Sequence, residues 1–418
     1  MYGPIFRQTL LFSPTGRKVM TDYSALARQL APAIAASASE RDAERILPYD
    51  IFDSIRASGL GAARVPLALG GGDVSQTVVA DIFITLGQAD PNVAQGLFPH
   101  FMNIEQFRLM APSAMQELYL GKIGAGKLSS GAVAERGAGF RGDIHTHVAL
   151  ENGQKILRGS KFYSTGCLFA DFIKVQAVDE DRRALYVVLP RDAEGLVLKD
   201  DWDGMGQRLT ASGTTEFHDI VVSDEQVIPV YHWSGRRNYA GAAAQLIHCA
   251  IDVGIGRAVV EDAIDWAKNH TRPLRESGVS RASDDPYILY AIGEMSTRVR
   301  AAEVLVRHAA QDIERAARAQ LEDVARGSSK NSPETEQLLV QASISTAGAK
   351  IASTDAALFV SQRMYDVGGA ATTQKRFNYD RHWRNARTHT THDSVAYKYK
   401  AVGNFLLNDT PPPITFTY

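Results

Sequence analysis

Residues 288 to 316 carry the pattern that most limits what this chain can become. Ile288, Ile292, Met295, Val299, Ala302, Val306, Ala309, Ile313 and Ala316 stand at alternating intervals of four and three. That period turns one apolar seam toward a partner along roughly 30 residues, and a bundle of long helices is what buries such a seam. Asp285-Pro286 sets the start, because proline suits a first helical turn. Gly327 to Pro333 reads as a linker. A second long helix is expected from Ser332-Pro333 to Gly368-Gly369. Asn238 to Asn269 supplies a third and Asp380 to Asn408 a fourth, so residues 236–418 are expected to form a C-terminal four-helix bundle with its tail.

Upstream, the period changes twice. Residues 1–20 read as an N-terminal arm. Residues 21–137 read as a helical domain, with helical spacing in Tyr23 to Ala36 and Asp81 to Gly87 and a loop from Val65-Pro66 to Asp73. Residues 138–235 alternate with period two. Glu151-Asn152-Gly153 is a hairpin turn signal between two strand runs, and Phe172 to Val178, Ala184 to Leu189 and Thr214 to Val222 read as further strands. The expected fold class is α+β and mostly helical: helical domain, middle antiparallel β domain, four-helix bundle.

Composition removes some functions. The chain has 45 Lys+Arg against 47 Asp+Glu, which leaves no basic field for nucleic acid. Cys167 and Cys249 cannot make a disulfide framework and suit a reducing cytoplasm. No apolar run approaches the ~20 residues that span a bilayer, so no membrane is expected. Gly70-Gly71-Gly72 lacks the Lys-Ser/Thr of a phosphate loop. Gly254-Ile255-Gly256 falls inside a helix, which is the wrong setting for a dinucleotide fingerprint.

Several stretches, in this order, resemble the acyl-CoA dehydrogenase superfamily from about Ala25 to Leu407. They are Val65-Pro66 with Gly70-Gly71, the loop Ala134 to Gly139, the strand Gly159 to Gly166, the turn Asp366 to Gly369 and the helix start Arg384-Asn385-Ala386. Within that superfamily the chain resembles the reduced-flavin monooxygenases of the dibenzothiophene monooxygenase type. Asp201 to Thr214, Arg272-Pro273 with Asp285-Pro286-Tyr287, and Arg376 to Asp393 carry that likeness. The run Arg387-Thr388-His389-Thr390-Thr391-His392-Asp393 is its most specific part.

The resemblance implies a two-component monooxygenase. Such an enzyme takes reduced FMN from a separate NAD(P)H–flavin reductase, forms a C4a-hydroperoxyflavin with O2 and oxygenates a small apolar molecule. FAD remains an open cofactor, and a homotetramer is implied. His392 and Asp393 are expected at the reacting edge of the flavin. Asp393 is expected to hold one histidine tautomer, either directly through His389, four residues before it, or through a turn that distorts the helix start. Gly131, Val133, Arg136, Tyr163, Ser164 and Thr165 are expected around the isoalloxazine. Arg272 is expected to reach a neighbour's flavin phosphate. His100 and Trp202 are expected to line the substrate pocket. No metal is expected. Gln95, Pro99 and Ala371 depart from the family pattern near the pocket.

A second reading is an FAD-dependent acyl-CoA dehydrogenase with Asp393 as the base that removes a proton beside a thioester. The stretch Tyr231 to Ile251 contains no Asp or Glu, so the superfamily's other base position is empty. His248, with His145, His147, His218, His232, His270 and His308, reads as an ordinary core or surface histidine.

Overall fold

The computed structural model describes residues 21–137, 139–140, 142–415 and 417–418. The expected arm over residues 1–20 lies outside the described residues, as do Ala138 and Arg141 of the loop between the first two strands. Six helices come first: α1 (Tyr23–Ala36), α2 (Ala38–Glu44), α3 (Tyr49–Ser58), α4 (Gln76–Ala89), α5 (Pro91–Met110) and α6 (Ser113–Gly124). Their starts follow local rules. The Asp22 side chain caps α1 and Ser75 caps α4; Asp90 caps α5 ahead of Pro91.

Eight strands make one sheet: β1 (Ser129–Ala132), β2 (His147–Glu151), β3 (Gln154–Lys161), β4 (Phe172–Val178), β5 (Ala184–Pro190), β6 (Leu196–Leu198), β7 (Thr215–Val222) and β8 (Val227–Ile228). The hairpin turn between β2 and β3 is Asn152-Gly153, both at positive φ, as the dipeptide predicts. The order is β6-β7-β3-β2-β4-β5-β8, with β1 on β4. The sheet is mixed rather than purely antiparallel, because β1 and β2 both run parallel to β4. β1 itself falls inside the stretch read as helical. At four residues, with Ser129, Ser130 and Gly131, it carries no strand periodicity of its own; the pairing with β4 makes it a strand.

The bundle follows: α7 (Tyr239–Asn269), α8 (Pro286–Ala325), α9 (Pro333–Gly368), α10 (Asp380–Thr390) and α11 (Val395–Asn408). The α8 seam faces inward as expected. Met295 through Ala316 are buried at every seam position, and Ile288 and Ile292 pack against the same core. Asp285 accepts from Tyr287 N and Ser332 Oγ from Thr335 N, which sets the starts of α8 and α9. α7 is long and apolar enough to cross a membrane, but 89% of its most apolar window is inside the protein, packed between helices on all sides. The fourth expected helix is two. α10 stops at Thr390, and residues 391–394 form a turn before α11. The chain thus breaks its helix within the His389–Asp393 run, where side chains must point in directions that one continuous helix would not allow.

Candidate active site

Helix α5 joins the two halves of the site. Its Gln95 reaches the bundle, while Gly96 and Pro99 abut the sheet. A Cβ on Gly166, after β3, would sit 2.3 Å from Gly96 O, and one on Gly131 would meet Pro99 at 3.9 Å. Gly166 holds φ at 77°, so both its conformation and this close approach call for glycine.

On the bundle side, three imidazoles lie together. His389 is buried; its Nδ1 lies 2.6 Å from Asp252 Oδ1 on α7. Its Nε2 lies 3.0 Å from His248 Nδ1 and 3.2 Å from Gln95 Oε1. His248, fully buried on α7, packs its ring 4.3 Å from that of His392 and 4.3 Å from Phe98. His392 is exposed at the surface of this cluster. Asp252 also accepts from Lys350 Nζ at 3.0 Å, and neither side chain has any solvent exposure. Asp393 is buried beside Lys398 Nζ at 2.9 Å.

Two expectations change here. The carboxylate on His389 Nδ1 belongs to Asp252, not Asp393, because the helix ends at Thr390 and the i,i+4 geometry is lost. His248 is no ordinary core histidine but the centre of the cluster. Its sequence signal was slight: a polar residue one turn before the acidic Asp252, in the apolar first half of α7. Burial and the neighbouring charges of His392, His389, Lys350 and Lys398 hold the His248 pKa well below its ordinary value. Its ring is neutral, and its Nε2 has no hydrogen-bond partner.

On the sheet side, Tyr163, Ser164 and Thr165 form the turn after β3. Tyr163 takes a positive φ of 59°, which lifts its ring into solvent. Ser164 N donates to Gly213 O, yet its buried hydroxyl has no partner. Thr165 Oγ1 shares a hydrogen bond with Ser212 at 2.6 Å. Val133 is exposed after β1, and Gly131 lies within it. Arg136 stacks its guanidinium 3.1 Å over Phe162, and Tyr163 meets Trp202 edge-on at 5.8 Å. Trp202 donates from Nε1 to Gln207 O. Arg136, Tyr163 and Trp202 therefore gather at one edge of the sheet.

His100 stands elsewhere. Ser129 N donates to its Nδ1 at 3.0 Å and Gly61 O lies 2.9 Å from its Nε2, so the ring is a neutral Nε2–H tautomer. Burial lowers its pKa to about 4. Both nitrogens bind backbone, which corrects its expected place in the substrate pocket: it is a brace between α5, the residues before α4 and β1. Arg272 is exposed in the connection between α7 and α8. Among the described residues, no group of three His, Cys, Asp or Glu side chains could hold a metal ion.

The unpartnered buried atoms Ser164 Oγ and His248 Nε2, with both side-chain ends of Gln207, fit a polar ring system arriving between sheet and bundle. Residues 246–397 match the family described as acyl-CoA dehydrogenase, C-terminal domain. A dibenzothiophene monooxygenase of Mycolicibacterium goodii is 30% identical, with 94% of this chain and 95% of the relative covered. A probable FMNH2-dependent monooxygenase of Pseudomonas putida is 27% identical, covering 94% and 96%. The crystal structure of FMN-bound TdsC from Paenibacillus sp. A11-2 superimposes with a TM-score of 0.87 at 27% identity, covering 95% of this chain and all of that one.

Proposed function

Because this chain belongs to the dibenzothiophene monooxygenase family, we propose that the space between its sheet and its bundle is where reduced FMN and a small apolar substrate meet. The protein is a flavin-dependent monooxygenase of the acyl-CoA dehydrogenase fold. Bound reduced FMN supplies the electrons with which O2 is activated. The residues of this chain bind, orient and keep water out. Ser164 and the Thr165 backbone meet the polar edge of the ring, Gly131 and Val133 floor it, and Arg136, Tyr163 and Trp202 close the sheet-side mouth. His392, with Asp393 behind it, presents hydrogen-bonding groups to the reacting edge.

One observation carries this reading over a dehydrogenase. The exposed reactive group is an imidazole, and the carboxylate at the dehydrogenase base position is tied to Lys398. Asp393 is buried and directed at Lys398 rather than toward a carbon acid, whereas a histidine cluster suits hydrogen bonding to oxygen. The substrate is an apolar organosulfur or aromatic compound; the exposed Tyr163 ring against Trp202 on the sheet side, and Phe98 against His248 on the bundle side, support that class. A separate flavin reductase delivers the cofactor.

The assembly is a homotetramer in which Arg272 reaches a neighbour's FMN phosphate. Its exposure, and the apolar side chains Tyr287, Tyr290, Leu406 and Leu407 left exposed on α8 and α11, support this. The protein works in the cytoplasm, a reading supported by its two free, buried cysteines.

Stopped-flow absorbance tests the function. Protein with photoreduced FMN is mixed with oxygenated buffer. A transient distinct from reduced and oxidised FMN is expected, its decay hastened by the true substrate. Direct reoxidation at the rate of free FMNH2 would refute the reading. Tight, redox-active FAD with turnover of acyl-CoA thioesters would favour the dehydrogenase instead.

A further inference from the structure

The buried groups behind His392 form a chain with a direction. Lys350 and Asp252, both sealed from solvent, pair at 3.0 Å. With the lysine on Oδ2, Asp252 is an acceptor at Oδ1, and His389 Nδ1 must donate to it. His389 Nε2 then carries the lone pair and His248 Nδ1 donates to it, an arrangement in which the Gln95 side chain, 3.2 Å from the same nitrogen, turns its amide NH2 rather than its oxygen toward His389. His248 is left with a bare Nε2, which is the atom found without a partner. Each proton is placed by the one before, starting from the ion pair. The His392 ring lies on His248 at 4.3 Å with 33° between planes.

We propose that Asp252 and His248 are positioning residues for His392: the Lys350–Asp252 pair orients the His389–His248 hydrogen bonds in one direction, and the neutral His248 ring so fixed is the platform that sets where His392 stands and how readily it takes a proton. His389 is the link between them. The idea rests on the reading of His392 as the group at the reacting edge. Among the described residues, the charged and titratable groups facing the stack include Cys249 and Asp252 from α7, Lys350 from α9, His389 from α10, Asp393 from the turn and Lys398 from α11, with Gln95 and Phe98 beside them from α5. A buried imidazole that stays neutral contacts His392 without adding a like charge to it, whereas a charged His248 would repel the protonated form.

The test reads His392 without flavin. Diethyl pyrocarbonate labelling across pH 5 to 9, resolved by peptide mass spectrometry, gives the titration midpoint of His392 in the folded protein. The double variant Asp252→Asn/Lys350→Met removes one charge of each sign, so the direct field at His392 barely changes, while an amide no longer dictates the direction of the bonds. The proposal expects the His392 midpoint to move by about one pH unit or more, with the melting cooperative and oxidised FMN still bound. The coupled fraction of O2 consumption is expected to fall as H2O2 rises. His248→Gln, which retains a donor toward His389 but no ring, is expected to move the midpoint too, and it serves if the double variant does not fold. A midpoint unchanged in a folded variant would overturn the proposal. Because labelling needs no flavin chemistry, that failure is distinct from a failure of the stopped-flow test.

Discussion

At the scale of single residues, partners decide roles. Ser164 pays the cost of a buried hydroxyl with no hydrogen bond, and a bound flavin is what would satisfy it. Ser164→Ala is therefore expected to leave stability unchanged or slightly raised and to weaken FMN about fivefold, by a net hydrogen bond of about 1 kcal/mol. Isothermal titration beside a melting curve checks both halves; equal losses in stability and affinity would count against this assignment. His100 makes a prediction of opposite kind. Its folded pKa, about 4, lies below the unfolded value of 6.5. Between these values the unfolded chain holds the extra proton, so stability falls as pH drops from about 6.5 to about 4 and flattens below, by up to about 3 kcal/mol. Denaturant titrations across that window show the slope, and His100→Gln is expected to flatten it. The candidate residues on the sheet side were legible through the family resemblance of the loop Ala134 to Gly139 and the strand Gly159 to Gly166, which are short contiguous stretches. His248 and Asp252 were not, because their role comes from α5, α9 and α10, distant in sequence and met only in the folded bundle.

At the scale of elements, the strongest local patterns predicted the structure best. The α8 seam, the Asn152-Gly153 turn and the proline starts of α8 and α9 each need only neighbours along the chain. Two elements were hidden. β1 is a strand because β4 offers it a ladder, and the α10–α11 break leaves a sequence that could continue as helix. The inner strand β4 also holds a group that pattern alone would place outside. Lys174 is buried, with Nζ on Gln106 and 3.8 Å above the Tyr186 ring. Burial lowers its pKa from 10.5 to about 7. The unfolded chain binds that proton more strongly between those values, so this residue costs stability increasingly as pH falls from about 10.5 to about 7. Lys174→Met is expected to raise the melting temperature at pH 7 by a few degrees, about 1 kcal/mol or more, and to remove that pH dependence. Differential scanning calorimetry at pH 7 and pH 10 tests this, and a lower melting temperature at both would show that the Gln106 contact outweighs the buried charge.

At the scale of the whole molecule, the site exists only where sheet, bundle and α5 meet. Its phosphate end is expected to need a further copy of the chain. Tyr290→Glu/Leu407→Glu, on two exposed apolar faces of the bundle, is expected to yield smaller species in sedimentation velocity and to weaken FMN at least tenfold, as Arg272→Ala would in the intact assembly. Dissociation with unchanged affinity would place Arg272 outside the cofactor site. By itself the sequence determined the class of fold and the order of helices, strands and bundle, because periodicity and turn residues are written between near neighbours; the flavin chemistry came from the resemblance carried by contiguous runs such as Arg387 to Asp393. Tertiary structure decided which carboxylate orients which histidine, that His100 braces backbone and that His248 lies beneath His392. Those outcomes depend on hydrogen bonds between residues from about thirty to more than a hundred positions apart, whose strength comes from burial that no local stretch of chain can specify.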